Sequence, residues 1–323
     1  MSAPLLQPST PSEVAEAVRS AARVIPVGAG TKSRLAAVGN EYQRISLTGV
    51  RGIVEYDPSE YTFTAWAGTP VKEIVAALAE RGQYLPFDPV LLAAGATLGG
   101  TLAAGISGPG RLRFGGLRDF ILGVQFVDGE GRLLRMGGKV VKNAAGFDVP
   151  KFLIGSAGRF GVLTELTFKV FPRPEATRTL RLEAKDAAAK MRLLMEAATT
   201  RWEFQAVDAA LEEGAVFARV GGPAAALDAL AADIMSRFPG AAMTDGDAAY
   251  LWQSLIEFRW AHTGGTLVKV ALTPGAVADF IAQLRAQDGV RGWIGAGGNA
   301  GYLSLPPGAT LPTLPWPAVT LRG

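Results

Sequence analysis

The stretch Val24-Ile-Pro-Val-Gly-Ala-Gly-Thr-Lys-Ser33 runs a short apolar strand into a glycine turn. Successive N–H groups of such a turn can form a nest for phosphate oxygens. The stretch fits neither common phosphate-loop pattern. A Walker loop needs Gly directly before its Lys, where Thr31 stands, and a dinucleotide fingerprint needs Gly at position 33, where Ser33 stands. An ordinary turn and a phosphate loop both remain open at this point.

Working outward, the 323 residues hold 40 Gly, 20 Pro, one His and no Cys. Of those glycines, 17 fall between positions 95 and 161. Such density asks for a ligand against backbone or for many tight turns. Apolar residues make up 49% and charged ones 19%, enough to build full-sized cores. The length suggests two domains. Without Cys there are no disulfides, iron–sulfur clusters, thiolate metal sites or Cys nucleophiles. With His262 alone there is no two-imidazole metal centre, and no metal site is expected. The formal charge is +3, and no window gathers five or six Lys and Arg, which argues against nucleic-acid binding. Residues 1–10 carry no Lys or Arg and contain Pro4 and Pro8, unlike a secretory leader, so a cytoplasmic location is expected.

Pro89 to Gly110 carries no charge and is long enough to mimic a membrane span. Its six glycines argue against a helix, each costing about 1 kcal/mol relative to Ala. A buried loop with close backbone approach is the expectation there. Within it, Thr97-Leu-Gly-Gly-Thr-Leu-Ala-Ala-Gly-Ile-Ser-Gly-Pro-Gly-Arg111 interleaves hydroxyls with small residues, as a surface for an extended ligand would. Arg111 could neutralise a phosphate. A third segment joins Lys142-Asn143 and Gly146-Phe147-Asp148 to Gly155-Ser-Ala-Gly-Arg-Phe-Gly-Val-Leu163. Asp148 is placed to cap a short helix, and Gly158 and Gly161 bring backbone close before a strand.

Thr10-Pro11-Ser12-Glu13 reads as a capping box. Thr69-Pro70 and Thr273-Pro274 open two further helices, and Asp186–Met195 and Pro223–Phe238 read as helical. Strands are expected at Val24–Val27, Gly52–Tyr56 paired with Thr62–Ala67, and Ile121–Val127 paired with Arg132–Met136. Val162–Phe171 alternates, with Val162, Leu166, Phe168 and Val170 on one face. Pro172-Arg173-Pro174 is the expected boundary between a domain of residues 1–174 and a smaller α+β domain of residues 175–323.

The order of these pieces over roughly residues 5–174 resembles the vanillyl-alcohol-oxidase superfamily, with its PCMH-type FAD-binding fold of two α+β subdomains. The run from glycine turn through TLGG, SGPGR, RDFILGVQFVDGEGRLL, KNAAGFD and GSAGRFGVLTEL carries the likeness. The stretch VVKNAAGFDVPKFLIGSAGRFGVLTELTFKVFPRP is similar to FAD-binding E-type subunits of bacterial glycolate oxidases. The resemblance implies that Gly28, Ala29, Gly30 and Thr31 hold the pyrophosphate of FAD. Thr97, Gly99, Gly100 and Thr101 would follow the cofactor towards its ring. Ser107, Gly108 and Arg111 would add contacts, and Gly161 and Val162 would lie near the flavin or the adenine end. No catalytic residue is assigned.

Covalent attachment in such folds uses His or Cys. The chain has no Cys and its one His lies outside this region, so the implied FAD is non-covalent. The resemblance further implies a complex oxidising glycolate or a related 2-hydroxyacid, with a catalytic D-type FAD subunit and an iron–sulfur F-type subunit as partners. Membrane association would be peripheral, through those partners. Related catalytic subunits carry a His-rich metal and substrate site, which one His cannot build. A non-catalytic FAD-binding or scaffold subunit is therefore the alternative. Trp252, Phe258, Trp260 and the tail Leu311–Leu321 read either as a docking surface or as second-domain core.

Overall fold

A computed structural model describes residues 4–36, 39, 41–138, 147–212 and 214–323. The chain divides into two compact units. The first comprises residues 1–107 and 116–173, the second residues 108–115 and 174–323. The break after Arg173 falls inside Pro172-Arg173-Pro174, but residues 108–115 belong to the second unit rather than the first. Two contacts within that unit hold them: Leu112 fills the notch left by Gly297, and Arg113 pairs with Glu203 at 2.6 Å. Both partners lie far along the chain, so local sequence does not announce them.

The first unit contains β1 (Val24–Val27), β2 (Gln43–Ser46), β3 (Ile53–Asp57), β4 (Thr62–Trp66), β5 (Gln83–Tyr84), β6 (Ile121–Val127), β7 (Leu133–Gly137), β8 (Val162–Lys169) and β9 (Phe171–Pro172). Strands β1 and β2 pair in parallel, and β5 pairs with β9. The main sheet is antiparallel, in the order β3-β4-β8-β6-β7. Its central strand β8 is buried on both faces, which corrects the alternating, half-buried reading of Val162–Phe171. Phe63 and Phe168 stack across β4 and β8 at 5.8 Å between ring centres, and Phe87 meets Phe120 at 5.3 Å. Burying each such ring contributes about 2–3 kcal/mol.

The helix Pro11–Arg19 buries Val14, Ala15 and Val18 in a cluster with Ile45 of β2, Val127 of β6 and Val162 of β8. Thr10 caps it, accepting from Glu13 N at 3.2 Å. The Glu13 carboxylate reaches one residue further back than a capping box, accepting from Ser9 N at 2.8 Å. The Thr69-Pro70 signal opens the helix Val71–Ala79. The uncharged stretch is not all loop: Leu98–Ala104 is a short α-helix, capped by Thr97 and ended by left-handed Gly105. Among the described residues no helix is long and apolar enough to cross a membrane.

The second unit holds one antiparallel sheet of β10 (Ala176–Glu183), β11 (Ala206–Ala210), β12 (Ala215–Gly222), β13 (Gly240–Ala242), β14 (Thr266–Ala271), β15 (Arg291–Gly295), β16 (Ala300–Leu305) and β17 (Ala318–Arg322). Its order is β13-β10-β12-β11-β15-β16-β14-β17. Helices Ala187–Ala197, Ala224–Arg237 and Val277–Arg285 bury their apolar residues against one face, with Leu182, Val216, Val268 and Leu303. The helix Asp245–Ile256 meets the opposite face, where Trp252 Nε1 donates to Thr179 Oγ1 at 2.9 Å. Trp252, Phe258 and Leu321 are buried, Trp260 is half-buried and Leu311 is exposed.

Candidate functional site

Three segments of the first unit, distant in sequence, surround one cavity of about 290 Å³. They are the glycine turn after β1, the short helix Leu98–Ala104 and the turn at residues 157–161. The strand Val24–Val27 delivers the glycine turn to the cavity rim. Gly30 has φ +69°, a conformation that side chains with a Cβ rarely adopt. Gly28 lies so close to the helix that an added Cβ would stand 2.4 Å from Thr97 Oγ1. That hydroxyl is the helix cap, accepting from Gly100 N at 3.2 Å. At the other end of the helix, Gly155 N donates to Leu102 O at 3.0 Å and Ala157 N to Ala103 O at 2.9 Å. Those two bonds dock the 155–158 turn on the helix end and satisfy carbonyls that the helix leaves open.

Of the residues anticipated for a cofactor, Gly28, Ala29, Gly30, Thr31, Thr97, Gly99, Gly100 and Gly161 line this cavity. Val162 instead lines an adjoining one of about 430 Å³, which shares Ile25, Ala157, Gly158 and Gly161 with the first. Thr101, Ser107, Gly108 and Arg111 line neither of the two. Gly108 and Arg111 belong to the second unit. Thr101 and Ser107 are buried, and their hydroxyls have no partner among the described residues. Lys142, Asn143 and Gly146 lie outside the described residues. Asp148 does cap a helical turn, accepting from Lys151 N at 3.2 Å.

Among the described residues the cavity's charged lining is Lys32 and Arg44, with no carboxylate. Burial pushes the Lys32 ammonium down to about 8. Its Nζ donates to Thr31 Oγ1 at 3.1 Å. A roomy, glycine-rich hollow with cationic walls fits an elongated anion. Sequence reading missed Lys32, Arg44, Ala157 and Gly158 as lining residues. Lys32 stands inside the opening motif, and its place directly after a strand-to-glycine turn is the signal that could have found it.

Residues 3–137 match the family described as "FAD binding domain". That match runs from ahead of β1 to the end of β7. Glycolate oxidase subunit GlcE of Escherichia coli (strain K12) is 50% identical over 133 residues, covering 41% of this chain and 38% of that one. Glycolate oxidase subunit GlcD of Bacillus subtilis (strain 168) is 34% identical over 140 residues, 43% of this chain and 30% of that one. D-lactate dehydrogenase of Archaeoglobus fulgidus is 31% identical over 173 residues, 52% of this chain and 39% of that one. In each comparison the match spans less than two fifths of the relative's own length. A solved structure of alkyldihydroxyacetonephosphate synthase aligns over 93% of this chain and 66% of that one, with a TM-score of 0.69. At 18% identity this likeness concerns the fold alone, which is α+β in both units. The glycine turn, the Thr97-capped helix start and β1 to β7 all fall within the matched FAD-binding domain.

His262 lies outside that domain, in the second unit. Its Nε2 stands 2.7 Å from Gly289 O, and its backbone N donates to Ser304 Oγ at 2.9 Å. Among the described residues no three His, Asp or Glu gather as a metal site would need.

Proposed function

We propose that this chain is the FAD-binding subunit of a 2-hydroxyacid oxidase complex, with glycolate as substrate and glyoxylate as product. The observation that carries the reading is the cavity at the glycine turn, in a domain half identical to a glycolate oxidase subunit over 133 residues. FAD, when bound, accepts the hydride from C2 of the hydroxyacid. The chain's own residues would bind and orient it. Backbone N–H groups of Gly28–Thr31 hold the pyrophosphate, with Lys32 and Arg44 as the lining cations. Thr97, Gly99 and Gly100 present a flat, side-chain-poor wall along which an extended cofactor lies. The orphaned hydroxyls of Thr101 and Ser107 support further polar contacts nearby, since buried hydroxyls normally find partners. In this reading Gly161 lines the cofactor cavity and Val162 the adjoining one.

Attachment is non-covalent, because the chain has no Cys and its one His is engaged with Gly289 O in the other unit. Electrons leave to an iron–sulfur F-type partner, for which this chain has no thiolates of its own. A D-type FAD subunit completes the complex, which sits in the cytoplasm or at the inner membrane face through its partners.

A second reading, an FAD-binding scaffold without turnover of its own, is favoured by His262. Its ring is tied to a backbone carbonyl, and it belongs to no group of three His, Asp or Glu among the described residues. Purification with the neighbouring subunits, followed by a flavin and iron count, tests the complex. Anaerobic glycolate added to the FAD-loaded chain alone separates the two readings: bleaching marks turnover by this chain, and an unchanged spectrum marks relay or scaffold.

A further inference from the structure

Lys32 is anomalous for a surface-turn lysine. It follows the glycine turn directly, yet it lies half-buried against the cavity instead of extending into water. Its Nζ makes one hydrogen bond, to the hydroxyl of Thr31, and it forms no ion pair among the described residues. The surrounding wall is small and apolar: Ile25, Val27, Ala36, Leu47 and Ala67 share it. Among the described residues Arg44 of β2 is the other charged group of this cavity and is exposed, while Arg34 lies exposed on the same turn. Tyr42, Asp128 and Arg159 line only the adjoining cavity, and Asp128 is held by Arg132 at 2.7 Å. A desolvated ammonium without a counter-charge is costly unless an anion arrives to pair with it.

We propose that Lys32 neutralises the pyrophosphate of FAD and that the chain takes up a proton at Lys32 Nζ when the cofactor binds. This rests on the reading that the cavity holds FAD. Without cofactor, burial alone lowers the affinity of Lys32 for its proton, and the group is half neutral near pH 8. A dianion beside it favours the ammonium, so the proton comes from solvent to the amine as the cofactor enters. Binding energy and protonation are then one linked equilibrium. Cofactor retention becomes pH-sensitive in a range where the phosphate groups keep their charge.

The test uses the full chain stripped of flavin and titrated with FAD between pH 6.5 and 9.5, read by quenching of flavin fluorescence. For the unaltered chain the dissociation constant is flat below about pH 7.5 and climbs by up to about tenfold per pH unit above 8. Calorimetry near pH 8 in buffers of different ionisation enthalpy reports uptake of about half a proton per FAD. Lys32→Arg keeps the charge and binds FAD with no such slope. Lys32→Met binds about tenfold or more weakly at pH 7, also without the slope. Circular dichroism confirms that both variants fold. Lys32→Met with unaltered affinity, or with the slope of the parent chain, overturns the role of Lys32. No quenching by FAD in the unaltered chain at any pH overturns the cavity reading itself.

Discussion

Gly28→Ala probes the junction on which the site depends. The new methyl carbon would stand 2.4 Å from Thr97 Oγ1, well inside contact distance. Thr97 is 3% exposed, and its hydroxyl is already engaged as the cap on Gly100 N. Rotating the hydroxyl away loses the cap on Gly100 N, which costs about 1 kcal/mol. Pushing the turn and helix apart instead incurs an overpacking cost of about 1–3 kcal/mol. By either route the cost is about 1–3 kcal/mol, which lowers the melting temperature of a unit of this size by about 2–12 °C. The displaced turn also misaligns the Gly28–Thr31 N–H groups, so FAD affinity falls about tenfold. Thermal unfolding by circular dichroism and FAD fluorescence titration measure both effects. Thr97→Ala alone loses the cap, at about 1 kcal/mol. If the clash is the cause, the double variant is more stable than the sum of the singles predicts, by about 1 kcal/mol or more. Unchanged melting and affinity in Gly28→Ala, or additive behaviour in the double variant, would refute the reasoning.

Other expectations follow from individual groups. Ser107→Ala and Thr101→Val each remove an orphaned buried hydroxyl, so the flavin-free chain is as stable or up to about 1 kcal/mol more stable, while FAD affinity drops several-fold. Arg135 meets the buried carboxylate of Glu165 at 2.8 Å, and Arg135→Ala costs about 1–2 kcal/mol in urea unfolding, tempered by the exposure of Arg135. In the flavin-free chain Lys32 holds its proton less well than when unfolded, with a value of about 8 against an ordinary 10.5. The unfolded chain therefore binds more protons across that interval, and the Lys32 contribution to stability rises as pH climbs from 8 towards 10.5. Lys32→Met removes that slope from a plot of urea-unfolding free energy against pH.

Much of this was readable in the sequence where short-range rules apply. Thr10 and Asp148 cap the helices they are expected to cap, and Asp186 stands as the cap of the helix expected over Asp186–Met195. The Asp128–Gly131 turn joins β6 to β7, and the glycine turn after β1 reaches the cavity. The failures are long-range. Leu98–Ala104 is helical despite Gly99 and Gly100, because an added Cβ at Gly99 would meet Ala67 Cβ at 2.8 Å and close packing outweighs propensity. Strand β8 is buried on both faces because it is central in its sheet, which an alternating pattern cannot reveal. The ties of Leu112 and Arg113 within the second unit are likewise invisible locally, since Gly297 and Glu203 lie far along the chain. Lys32 does not complete a Walker pattern, and its burial depends on walls supplied by β1, β2 and the residues that follow β2 and β4, which no local motif announces.

The central claim is that the first unit holds FAD without a covalent bond. The most direct measurement is the flavin content of the purified chain before and after acid precipitation. The account predicts about one FAD per chain beforehand, all of it released to the supernatant as intact dinucleotide. A chain that is colourless and fails to quench added FAD, or flavin that stays with the precipitate, would contradict it.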